Sequence, residues 1–119
     1  MGDLVFTIPI RTYSEANLRE HWRTCAKRTA HQRFAARLIT AEAIGWNRNG
    51  GGGIITITRI APRIMDTDNL ARSMKAIRDG VADALGVDDG STLLTWRYDQ
   101  KTGVAKMYAV EVRIEGRGG

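Results

Sequence analysis

Between residues 66 and 86 an aspartate-rich turn, Asp66-Thr67-Asp68, leads into a segment where Leu70, Met74, Ile77, Val81 and Leu85 recur three or four residues apart. That spacing is one face of an amphipathic helix, and such a face must be buried against a second layer. Thr67 or Asp68 is placed to cap its start. Gly86 is placed to end it as the C-cap glycine. Gly80 lies inside it, a local cost in helix propensity that permits close packing.

The second layer is legible on both sides of this helix. Ile54–Ile60 alternates isoleucine and threonine and predicts a strand that Pro62 ends. Leu4, Phe6 and Ile8 alternate with Val5, Thr7 and Pro9 and predict a short first strand. Leu93–Tyr98 and Lys106–Glu115, the latter alternating through Tyr108, Val110, Val112 and Ile114, are expected to form a hairpin through Lys101-Thr102-Gly103.

A first helix is expected from Asn17 to about Trp46, started near Ser14. Leu18, Trp22, Ala26, Ala30, Phe34 and Leu38 recur every four residues, joined by Ile39, as a buried stripe. Arg19, Arg23, Lys27, Arg28, Arg33 and Arg37 occupy the other faces. Asn47–Gly53, with four consecutive glycines, predicts a loop too short to divide two domains. The expected order is β-α-β-α-β-β. It describes a single α+β domain over 1–119, with a mixed sheet, two helices and a frayed tail at 116–119.

Composition limits the function. A chain of 119 residues with 43% hydrophobic and 26% charged residues suits one soluble globular core. No apolar run approaches the roughly 20 residues of a membrane span. The start MGDLVFTIPIR predicts no secretory signal. The single cysteine, Cys25, excludes an internal disulfide framework and a cysteine zinc finger, and it is expected to pack rather than react. These features together predict a cytoplasmic protein with no membrane partner.

The net charge of +5 is unevenly spread. Residues 1–63 hold 10 Lys+Arg and 4 acids, whereas residues 64–119 hold 8 and 9. A basic half attracts phosphate, and an aspartate cluster holds a divalent ion. The plain alternative is a solvated basic helix beside a polar loop.

Asp66 and Asp68 are two residues apart. In extended backbone their side chains point the same way, towards one cation. Asp88-Asp89-Gly90 lies beyond the second helix, about 25 Å away if that helix is straight. Asp89 therefore joins the first two acids only if the chain folds back, or if the site is shared between subunits. Oxygen ligands with no histidine or cysteine nearby favour Mg2+ or Mn2+ over zinc. Lys75 is placed to add positive charge near a phosphate. Each of these acids also has an ordinary structural reading as a cap, an exposed helix residue or a turn.

An EF-hand does not fit. Ala71 stands where its glycine is needed and Ile77 where its bidentate glutamate belongs. No Gly-Lys-Ser/Thr follows the glycines, so no P-loop is present. His21 and His31 have no metal-ligand partner motif and read as phosphate contacts or surface residues.

Taken together, Asp66-Thr67-Asp68-Asn69-Leu70, the Lys75–Asp79 spacing and Leu85-Gly86-Val87-Asp88-Asp89 resemble the RusA family of Holliday-junction resolvases. Ile8-Pro9-Ile10 followed by Ser14, Asn17 and His21 also resembles the opening of that family. The resemblance implies a small phage or bacterial homodimer, intertwined, that makes paired nicks in four-way DNA junctions during recombination and repair. It implies metal-binding carboxylates at Asp66, Asp68 and Asp89, a catalytic lysine at Lys75, and Asn69 helping to hold the site. In the family pattern the lysine usually falls where this chain has Arg72, so Arg72 and Lys75 are both candidates for the cation. Asp89 is preferred to Asp88 by position.

On this reading Arg19, Arg23, Lys27, Arg28 and Arg33 would contact DNA phosphates, which position a substrate without reading its sequence. Trp22 is expected mainly in the core. Three other readings remain: a non-catalytic DNA-binding protein, a metal-dependent nuclease for flaps or duplex, and a small interaction protein.

Overall fold

A computed structural model describes residues 3–13, 22–45, 53–86 and 94–116. The elements in order are β1 (Leu4–Ile8), α1 (Trp22–Ile44), β2 (Gly53–Ala61), α2 (Thr67–Ser73), α3 (Lys75–Leu85), β3 (Leu94–Thr102) and β4 (Ala109–Gly116). The fold is α+β, with one four-stranded mixed sheet in the order β1-β4-β2-β3.

The isoleucine–threonine strand takes an interior position. β2 pairs in parallel with β3 and antiparallel with β4, and β4 pairs antiparallel with β1. One face of the sheet carries rows set by this register: Phe6, Val112, Ile57 and Tyr98 in one, Leu4, Ile114, Ile55 and Trp96 in the next. Ile55, Ile57, Val110 and Val112 are fully buried there against Ala36 of α1, Leu70 of α2, Met74, and Ile77 and Val81 of α3. The opposite face presents exposed Val5, Thr7, Thr95, Arg97, Asp99 and Arg113.

The expected hairpin does not form, since β3 and β4 lie on opposite sides of β2. Period-two alternation marks a strand but does not name its partner. β2 is buried or half-buried at every position, whereas β3 alternates with exposed residues. The most apolar strand therefore sits inside and the half-polar one takes the edge. The parallel β2–β3 pair requires a crossover, which α2 and α3 supply.

The second predicted helix is two helices, broken at fully buried Met74. Ser73 Oγ donates back to the Leu70 carbonyl at 2.8 Å, a local bond that competes with the helical ladder. The Met74 N–H turns to Ala71 and Arg72 carbonyls. Gly86 closes α3 in the left-handed region, at φ 71°, as the sequence predicts.

The face that α1 turns inward differs from the predicted one. Gln32, Ala36 and Thr40 are buried, whereas Trp22, Phe34 and Leu38 are 68%, 59% and 52% exposed. Ala26 and Ala30 are also exposed, Ile39 is half-buried, and Leu18 lies outside the described residues. A strict repeat of four drifts about 40° per step around a helix of 3.6 residues per turn, so no single face holds it. Close approach to Gly80 of α3 selects small Ala36 for the contact.

Candidate functional site

Five residues beyond the end of β2, the chain enters α2 through Asp66. Just before it, Met65 is held on both backbone groups by one side chain of β3. The Met65 N–H donates to Gln100 Oε1 at 3.0 Å, and Gln100 Nε2 donates to the Met65 carbonyl at 2.7 Å.

Asp66, rather than Thr67 or Asp68, is the N-cap. Its backbone is extended (φ −68°, ψ 162°) and Oδ1 accepts from the Asn69 N–H at 2.9 Å. Oδ2 accepts from Asn69 Nδ2 at 3.1 Å. Asn69 thus orients the Asp66 carboxylate through both oxygens. Asp68 already lies in helical backbone, so the period-two argument for the Asp66–Asp68 pair does not apply. Both side chains are exposed at the entrance to α2, and Asp68 has no hydrogen bond or ion pair among the described residues.

Of the two candidate cations, Arg72 is exposed in the last turn of α2. Lys75 opens α3 and pairs with Asp79, Nζ to Oδ2 3.3 Å, with 70% of its own side chain exposed. An exposed pair of this kind is held weakly.

Asp88 and Asp89 lie outside the described residues. The ends that bracket them are described: Gly86 closes α3, and Leu94 opens β3 in register with Gly53, the opposite end of β2 from Ala61. A nine-residue strand spans about 26 Å. Asp66 follows the Ala61 end of β2, whereas Leu94 begins β3 at the Gly53 end. Among the described residues no three His, Cys, Asp or Glu side chains converge as a metal-binding group.

The predicted basic helix is partly differently employed. Arg23 is exposed, with its guanidinium 5.2 Å from the Trp22 ring, and Lys27 is exposed. Arg28 is turned inward, 4.8 Å from the Tyr13 ring and near Cys25 Sγ. Arg33 forms a two-pronged pair with Asp83 of α3, Nε to Oδ2 2.7 Å and Nη2 to Oδ1 2.9 Å. The Arg33 hydrogen bond is the main cause holding the Asp83 carboxyl below its usual pKa. Arg19 and His21 lie outside the described residues; His31 is exposed.

A second constellation has no counterpart in the sequence reading. Arg59 continues the inward row of Ile55 and Ile57, yet it is charged and only 8% exposed. Its Nε donates to Thr12 Oγ1 at 3.0 Å and its Nη1 to the Arg63 carbonyl at 2.6 Å. Arg11 lies beside it, 4.1 Å from the Tyr108 ring and 4.9 Å from the Tyr13 ring. Gln32 Nε2 of α1 donates to the Arg11 carbonyl at 3.0 Å. Burial is the main cause pulling the Arg59 pKa below its usual value; Tyr108 opposes it and Arg11 adds to it. The available sequence signal was a charged residue at an inward position of a strand pattern.

No helix among the described residues is long and apolar enough to cross a membrane. Compared with known proteins, the chain matches no family model and no curated protein.

Proposed function

We propose that this protein is a Mg2+- or Mn2+-dependent endodeoxyribonuclease that resolves four-way DNA junctions by paired nicks, acting as a homodimer in the cytoplasm of a bacterial or phage-infected cell. The observation that carries the reading is the α2 entrance. Exposed Asp66 and Asp68 stand together in sequence, Asn69 steadies Asp66, and Arg72 and Lys75 follow within two turns. This is the order of groups on which the resemblance to RusA resolvases rests.

The donors suit a hard divalent cation. A carboxylate has about four acceptor positions, and Asp66 spends two on Asn69. Asp68 spends none within the described residues. A bound cation would supply Lewis-acid activation of the phosphodiester. Lys75 or Arg72 offsets the charge that develops on the phosphate. Arg23 and Lys27 hold the backbone of the junction arms.

The third carboxylate, on this reading, crosses the dimer. Leu94, the first described residue after Asp89, pairs with Gly53 at the end of β2 opposite the α2 entrance. Asp66 and Asp68 of one protomer would then be completed by the partner subunit's Asp89, which ties cleavage to assembly on the junction.

The test is a synthetic four-way junction incubated with Mg2+ or Mn2+. Wild type is expected to make paired nicks, EDTA to stop them, and Asp68→Asn to bind without cutting. Asp68→Asn cutting at the wild-type rate removes the metal assignment. Wild type that binds, with an affinity falling steeply with salt, yet cuts with neither ion favours a non-catalytic DNA-binding protein. The internal use of Asp66 as a helix cap is the observation on that side.

A further inference from the structure

We propose that Arg11 and Arg59 form a phosphate-binding subsite, separate from the carboxylates at the α2 entrance, that takes a backbone phosphate of bound DNA. Its identification with DNA rests on the nuclease reading above; its affinity for phosphate does not.

Three segments build it. β2 delivers Arg59 near the end of its inward face, between Val110 of β4 and Gln100 of β3. The stretch after β1 brings Arg11, Thr12 and Tyr13, and Gln32 of α1 fixes that stretch through the Arg11 carbonyl. Tyr108, just before β4, supplies the ring under Arg11.

The chemistry is unusual for a purely structural cluster. Burying a cation is costly unless it is paired. Yet Arg59 donates only to neutral oxygens, a hydroxyl and a carbonyl. Burial disfavours its charged form, Tyr108 favours it, and the neighbouring cation Arg11 disfavours it further. Neither Arg11 nor Arg59 forms an ion pair with any carboxylate among the described residues.

Donors remain for a ligand. A guanidinium carries five N–H groups in a planar fork, and the recorded bonds of Arg59 use two. The Arg11 guanidinium carbon lies 4.1 Å from the centre of the Tyr108 ring, and an arginine over a ring keeps N–H groups for a hydrogen-bond acceptor. Two guanidiniums with spare edges, held by neutral partners, match the oxygens of a phosphate and are mutually repelled without one. Arg59 is also tied to the proposed cutting site. It holds the carbonyl of Arg63, three residues before Asp66, so a phosphate on Arg59 sets the phase of the strand relative to the α2 entrance.

The experiment measures four-way junction binding in EDTA across a NaCl series for wild type, Arg11→Ala and Arg59→Gln, with circular dichroism to check folding. Each variant is expected to bind roughly tenfold or more weakly. The slope of log affinity against log salt is expected to fall by about one unit, the share of one phosphate contact. Exposed Arg11 keeps the test decisive if Arg59→Gln does not fold. Folded Arg11→Ala with wild-type affinity and slope overturns the subsite while leaving the nuclease reading standing. If wild type binds no junction, the nuclease reading fails on its own. Inorganic phosphate is then titrated against the arginine Nε–H resonances of wild type. Shifts at Arg59 that Arg11→Ala weakens support the subsite, and no shift overturns it.

Discussion

A side-chain carbon added at Gly80 of α3 would lie 2.7 Å from Cβ of Ala36 on α1. It would also run into the Arg33 carbonyl and lie 3.0 Å from the Arg37 nitrogen. Two of these three atoms are α1 backbone, which has no rotamer to give. This contact sets how closely α1 approaches α3, and so which residues α1 turns outward.

Gly80→Ala is therefore expected to destabilise the protein. Alanine is better than glycine in a helix interior by about 1 kcal/mol, but overpacking costs about 1–3 kcal/mol. The packing cost is the larger here because backbone must move. Denaturant unfolding checks the sign; a gain in stability would mean that α1 does not pack on Gly80.

The Arg33–Asp83 fork makes a pH-dependent prediction. The folded Asp83 pKa is below the unfolded value, whose reference is 3.8, chiefly through the Arg33 hydrogen bond. Its stabilisation is thus complete above the unfolded pKa and is lost as pH falls through the folded one. Both side chains are partly exposed, so the contribution is under about 1 kcal/mol. The difference in unfolding free energy between wild type and Asp83→Asn is expected to be constant near neutral pH and to shrink below about pH 4.

Asp66 caps α2, and the proposed function makes it a metal ligand as well, so the two roles can be tested separately. Asparagine caps a helix about as well as aspartate, whereas alanine costs about 1 kcal/mol. Asp66→Asn is expected to keep the wild-type melting temperature and lose junction cleavage. Asp66→Ala is expected to lose both. Thermal melts run beside a cleavage assay separate the two, and full cleavage by Asp66→Asn would leave Asp66 as a cap only.

Sharing of the carboxylates across a dimer can be tested by mixing. Asp68→Asn and Asp89→Asn proteins are each expected to be inactive alone. In a mixed dimer with shared sites, one site carries both changes and the other carries neither, so single nicks are expected to return. If each protomer held its own site, every site in the mixture would be damaged and no cleavage would appear.

The candidate site was legible where chemistry is local in the chain. The run Asp66–Asn69 is an N-terminal helix signature, and the structure makes a cap of it, although from Asp66 itself. The Lys75–Asp79 pair follows from one helical turn. Arg59 was not legible as part of any group. Its partners Thr12 and Arg11 are more than forty positions earlier, brought beside it only by the pairing of β1 and β2 on opposite edges of β4.

Periodicity and punctuation in the sequence by themselves determined the order of elements, the strand at β2 and the left-handed end at Gly86. Each depends on neighbours within a turn or a few residues. The strand order and the inward face of α1 were decided by tertiary structure. β2 excludes β3 from β4 because it is the strand with the most apolar surface to cover. Trp22, Phe34 and Leu38 face outward because only a small residue of α1 fits against Gly80. Such choices compare one segment with another across the core, and no window along the chain contains both.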